Sequence, residues 1–251
     1  MQIKILDLNL FEGGLFWPNI EKLIQKENPD ILCLQEVFNG DAKQSPNFRT
    51  IEQLDKLLPG FHHYYSPELF EIWPFGQGDG GNAIYSRFPM REEQTIFLHR
   101  EYQKILRPRN EKDFSHYPKN LQSVVVEIDG KRLHVANMHG IWGLDGKDSK
   151  ERLQMSKLIV KEVKGKKPLV LAGDFNLKPD TVTIQYIEKL LTNVFKGEMK
   201  TSFNMRHKDN LGYASAVVDM FFASPDIKIV SKSVPGDDVS DHLPLLVTVE
   251  I

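Results

Sequence analysis

The chain has 251 residues, 41% of them hydrophobic and 26% charged, with 32 Lys and Arg against 34 Asp and Glu for a formal net charge of −2. That balance excludes disordered, collagenous and fibrous classes and supplies enough apolar residues for a sizeable core. It also excludes attachment to nucleic acid or membrane by bulk basicity, though a local basic groove stays open. A single domain over 1–251 is expected, because α/β or β-rich domains of about 250 residues are common.

In chain order, Ile3 to Leu10 reads as a strand with no small-residue cleavage pattern after it, and no segment is long enough to span a bilayer. A cytoplasmic protein is therefore expected. Pro18 to Glu27 is a helix opened by proline, and Asp30 to Val37 (DILCLQEV) a nearly continuous apolar strand of the kind buried on both faces. Cys33, the only cysteine, lies inside it. Within one chain this rules out a disulfide framework and a Cys-rich zinc site, and a buried thiol is expected.

Phe48 to Leu58 has helical spacing. Strands follow at His62–Tyr65, Ala83–Ser86, Gln94–Leu98, Leu121–Ile128 and Arg132–Met138, the last two joined by the tight turn Asp129-Gly130. Lys150 to Val163 is helical with Gly165 as its stop, Leu169 to Ala172 is a buried strand, and Val182 to Leu191 a helix. Strands at Val217–Ala223, Ile227–Val234 and Leu243–Ile251 complete about ten strands and four helices. The stretch from Arg100 to Asn120 is the most irregular. It holds six Lys or Arg, three acidic residues and the aromatics Tyr102, Phe114 and Tyr117, so it is either a cradle for a phosphate backbone or an ordinary solvated loop.

Polar residues ending or interrupting apolar strands carry the chemistry, since a buried carboxylate costs several kcal/mol unless a metal or hydrogen bonds offset it. Asn9 ends the first strand and Glu36 the second. His139 follows VANM, Asp174 and Asn176 close LVLAGDFN, Asp219 interrupts VVDMFF, and Asp241 and His242 precede the final strand. Singly, each has a bland explanation as a cap, a surface residue or a satisfied core histidine. Together they suit a hard divalent cation, which takes oxygen ligands, beside imidazoles that handle protons or phosphate charge. Asp7 shares a strand face with Asn9 and is either near such a metal or a strand-end residue bonded to backbone.

The ordered blocks Asn9, LQE, GNAIYSRFP, NMHG, GDFN, Asp219 and SDH resemble the endonuclease/exonuclease/phosphatase superfamily, which includes DNase I, abasic-site nucleases, tyrosyl-DNA phosphodiesterases, deadenylases, sphingomyelinases and inositol-polyphosphate phosphatases. The resemblance covers residues 3 to 247. It implies a four-layer α/β/β/α sandwich of two mostly antiparallel sheets flanked by helices. It implies Glu36 as the main ligand of Mg²⁺, with Mn²⁺ as an alternative, Asn9 close to the metal and Asp241 contributing.

In the same family, Asp174 would position and deprotonate water with Asn176, Asp219 would orient His242, and His139 would contact the scissile phosphate or act as general acid. Glu68 or Glu71 could be the glutamate partner of His139. One departure is that Leu10 and Phe11, not an early Asp, follow Asn9, which moves the chain away from abasic-site nucleases.

The expected activity is metal-assisted in-line attack of water on a phosphate ester, in a nuclease or nucleic-acid end-processing phosphodiesterase. The alternatives are a small-molecule or lipid-headgroup phosphodiesterase or phosphatase, and a catalytically silent binding module. No membrane insertion and no obligate protein partner are implied. Specificity should lie in the segments Phe38–Asn47, Phe70–Gly80, Arg100–Lys119 and Ile141–Lys150. Trp17, Trp73 and Trp142 either stack on substrate or pack internally.

Overall fold

A computed structural model describes residues 1–41, 43–108, 112–208 and 216–251. Part of the basic stretch, including Arg109, lies outside the described residues. Thirteen strands and four α-helices are found among them. The first sheet contains β1 (Gln2–Asn9), β2 (Ile31–Asn39), β3 (His62–Trp73), β4 (Gly76–Ser86), β6 (Gln103–Leu106), β12 (Lys228–Ser233) and β13 (Leu245–Glu250), in the order β12-β13-β1-β2-β4-β3-β6. The second contains β5 (Met90–His99), β7 (Lys119–Ile128), β8 (Lys131–His139), β9 (Leu169–Asp174), β10 (Thr192–Asn193) and β11 (Asp219–Ala223), in the order β10-β11-β9-β8-β7-β5.

The alternation of apolar side chains decides how the sheets stack. Ile3, Ile5 and Cys33 of the first sheet meet Val126, Val135 and Phe221 of the second in one buried cluster. Residues of opposite parity, such as Leu6, Leu8, Leu32 and Leu34, face α1 (Trp17–Glu27) and α2 (Thr50–Leu57). On the far side Ala136, Met138 and Leu171 pack against α3 (Lys150–Val163) and α4 (Val182–Glu188). The result is the expected α/β/β/α sandwich, with Cys33 a buried thiol in its middle.

Most neighbouring strands are antiparallel, but β1 runs parallel to β2, β8 to β9 and, at the outer edge of the first sheet, β3 to β6. The first two of these pairs each bring two strand C-termini to the same edge of their sheet, and those four ends frame the site. The Asp129-Gly130 turn joins β7 to β8 with φ of 48° and 80°, the conformation a tight hairpin demands.

Three segments differ from the sequence reading. The segment 70–80, with three glycines, suggests a loop, yet it is the extended end of the β3–β4 hairpin, paired from His62–Ser86 to Trp73–Gly76 with one register shift between Pro67 and Leu69. The expected irregular loop after Arg100 contains β6, which adds to the edge of β3. Asp7 is not at the strand end, but its carboxyl does accept a backbone hydrogen bond, from Gly173. It sits within β1, and its Oδ1 accepts from Gln35 Nε2 at 2.9 Å.

Candidate active site

Beneath the site a polar layer crosses between the sheets. Gln35 donates to Asp7 and, at 2.7 Å, to Asn137 Oδ1, while Asn137 Nδ2 donates to Leu34 O and Gln122 Oε1, each at 2.9 Å. These side chains are fully buried, so the bonds fix the relative position of β2, β7 and β8 just where the strand ends of the candidate site emerge. Burial and the nearby Asp219 hold the Asp7 carboxyl well above its ordinary range.

Glu36 projects from a bulge in β2 where the register to β4 shifts between Leu34 and Val37, and its φ is 55°. A left-handed conformation at glutamate is unusual, and it turns the side chain out of the sheet's alternation. Glu36 Oε2 accepts from Glu12 N at 2.7 Å and Oε1 from Asn9 Nδ2 at 3.2 Å. The other end of the same interaction lies on the second sheet, where Asn9 Nδ2 also reaches Asp174 Oδ2 at 3.3 Å. Asn9 therefore joins the acid of LQE to the acid of GDFN.

Asp174 is the hub. It lies opposite His139 on β8 and opposite Asp219 on β11. Its Oδ1 accepts from Asn176 N at 2.8 Å, while its Oδ2 faces His139 Nε2 at 3.6 Å and His242 Nε2 at 3.9 Å. Asn176, at φ 53°, also donates through Nδ2 to Gly140 O at 3.2 Å. Burial, reinforced by the charge of Asp219, lifts Asp174 to about 7.

His242 Nδ1 lies 2.8 Å from Asp219 Oδ2 and 3.0 Å from Oδ1. Burial alone would depress this imidazole, but Asp219 and Asp241 overcome it and raise it to about 10, so it stays cationic and donates Nδ1–H. His139 goes the other way. Burial and the adjacent Lys119 and His242 charges drive it well below the ordinary range, leaving it neutral at pH 7.

Glu68, not Glu71, stands near His139, with Oε2 3.8 Å from Nδ1. Between them lies Lys119, which the sequence reading did not single out. Its Nζ is 3.2 Å from Glu68 Oε2 and 2.9 Å from His139 Nδ1. Glu68 is oriented in turn by Asn82 Nδ2 at 3.1 Å and Asn120 N at 2.9 Å, which gives a structural role to the asparagine of GNAIYSRFP. Glu71 pairs instead with Arg107 at 2.7 Å.

Glu36, His139, Asp174, Asn176, Asp241 and His242 line one cavity, with Asn9 and Asp219 bonded to them from below. Six carboxylates line it against three Lys or Arg side chains. That excess of oxygen ligands and negative charge fits a hard divalent cation. Among the described residues Asp174, Asp219 and His242 form a group whose His and carboxylate ligand atoms all lie within 4.8 Å of one another. It differs from the Glu36, Asn9 and Asp241 set that the resemblance implies for metal. Asp241 Oδ2 is ion-paired with Lys208.

Comparison with known proteins follows the same lines. No curated protein matches the chain. Among solved structures, the Bacteroides thetaiotaomicron mannosyl-6-phosphatase superposes with a TM-score of 0.72 at 16% identity, covering 99% of this chain and 100% of that one. The human Nocturnin catalytic domain with bound sulfate superposes at 0.70 and 19%, covering 99% and 94%. D. rerio TDP2 complexed with a single-strand DNA product gives 0.73 and 14%, covering 100% and 99%. At these identities the similarity concerns the fold. The model of the Endonuclease/Exonuclease/phosphatase family matches residues 13–242, so this chain belongs to that family of phosphoesterases, whose members generally work with divalent metal ions.

Proposed function

We propose that the chain is a Mg²⁺-dependent hydrolase of phosphate esters acting on nucleic acid, with Mn²⁺ as an alternative ion. The observation that carries this reading is the convergence of Asn9, His139 and His242 on one oxygen of Asp174, from both sheets, beside Glu36. A bound divalent ion would be held by Glu36 with Asn9 and Asp241 and would neutralise charge on the phosphate oxygens.

The remaining chemistry belongs to the side chains. Asp174, at about 7, is suited to take a proton from the attacking water near neutral pH, and Asn176 fixes its orientation. His242, kept cationic by Asp219, faces the charge that builds on the phosphate in the transition state. His139 is the neutral imidazole beside Lys119, placed to contact the scissile phosphate.

The single-strand DNA product bound to D. rerio TDP2 supports a nucleic-acid substrate. A small phosphate monoester is the second reading, favoured by the small volume of the cavity beside the acids and by the neighbouring mannosyl-6-phosphatase. A panel separates them: single- and double-stranded DNA, RNA, a tyrosyl-linked end, an inositol phosphate and mannose 6-phosphate, each with Mg²⁺, Mn²⁺ or EDTA. Metal-dependent turnover of a DNA or RNA substrate is expected. Turnover confined to the sugar phosphates would reject the nucleic-acid reading.

A further inference from the structure

The catalytic side chains form one wall of a cavity of about 330 Å³, and the rest of it has no part in the chemistry above. Its other walls include the aromatic side chains Phe11, Phe38, Phe114, Tyr117 and Trp142. Phe114 comes from the segment that follows β6 of the first sheet, and Trp142 from the segment that follows β8 of the second. Their rings meet edge to face, 5.2 Å between centroids at 89°, and tie the two segments together across the cleft.

Behind Phe114 the wall is anchored by Arg107. Its guanidinium lies 3.9 Å from the ring centre of Trp73 and 4.7 Å from that of Phe114, while Nη1 donates to Glu71 at 2.7 Å. The other two Lys or Arg side chains that line the cavity are engaged as well, Lys119 with Glu68 and Lys208 with Asp241. Every such cation therefore already has a carboxylate partner, and Glu12 and Glu36 add negative charge. A nucleic-acid backbone presents a phosphate at each residue and needs available Lys or Arg along its path. Among the described residues the cavity supplies no Lys or Arg beyond these three, which favours an uncharged group against its outer walls. The volume lies at the small end for ligand pockets and suits one ring-bearing unit, while aromatic walls suit a flat base.

We propose that this cavity is a subsite for a single nucleoside, whose one ester phosphate lies on the catalytic wall. Substrates are then mononucleotides or strand termini, not phosphates within a strand. The inference rests on the phosphoesterase reading only for the place of the phosphate, because the base can bind without turnover.

The full chain in EDTA, titrated calorimetrically with adenosine, should bind it saturably and should not bind mannose. Phe114→Leu and Trp142→Ala, each checked for native circular dichroism, should weaken adenosine binding about tenfold or more. With Mg²⁺, circular single-stranded DNA should stay intact. Absence of adenosine binding, tighter binding of mannose, unchanged affinity in both variants, or cutting of the circle would overturn the proposal. An inactive protein that binds adenosine would instead count against the hydrolase reading alone.

Discussion

His242 and His139 are two buried imidazoles on either side of one carboxylate, yet they are held in opposite protonation states. The difference is their partners: Asp219 beneath His242, Lys119 beside His139. For His242 this has a pH consequence. Its folded-state value of about 10 lies above the ordinary imidazole value of about 6.5, so the stability it contributes is complete below pH of about 6.5 and declines as pH rises towards 10. In metal-free protein, His242→Gln should therefore cost more at pH 6 than at pH 10, by about 1 kcal/mol or more in urea unfolding. An equal cost at both pH values would show that the imidazole is not held cationic. Each site residue was legible as a polar interruption of an apolar strand. Lys119 was not, because a lysine at the start of VVV-type strand sequence looks like a solvated end until the fold buries it against Glu68.

At the scale of elements, the strand ends that carry the candidate site depend on close backbone approach. Gly173 has φ 142°, and a Cβ there would collide with the carbonyl oxygen of Met138 on β8. That contact lies one residue from the His139–Asp174 pair, so any displacement moves both groups. Gly173→Ala should cost about 3 kcal/mol of stability by chemical denaturation. A loss below about 1 kcal/mol would mean that β8 and β9 can separate without penalty. The same scale marks where sequence reading ran out. Apolar periodicity located the core strands, but β3 and β4 extend through a glycine-rich segment whose pairing comes from each other and not from local propensity. β6 is likewise an edge strand of four residues, fixed by tertiary contact with β3.

For the whole molecule, two sheets packed face to face bring together residues separated by up to 233 positions, from Asn9 to His242, at one edge. The architecture followed from alternating apolar strands and interleaved helices, together with the seven ordered blocks. The aromatic cavity did not, since its walls come from segments whose shape depends on Arg107, Phe114 and Trp142 meeting across the cleft. Gathering so many carboxylates stores repulsion that a cation should relieve. A ligand at a hundred times its dissociation constant stabilises a fold by about 2.7 kcal/mol. Saturating Mg²⁺ or Mn²⁺ should thus raise the melting temperature of the EDTA-treated protein. The most direct measurement is calorimetric titration of Mn²⁺ into wild type, Glu36→Gln and Asp241→Asn. Binding by wild type, weakened about tenfold or more in both variants, is the expected result. Unchanged affinity in Glu36→Gln would show that the acid of β2 takes no part in a metal centre at this edge.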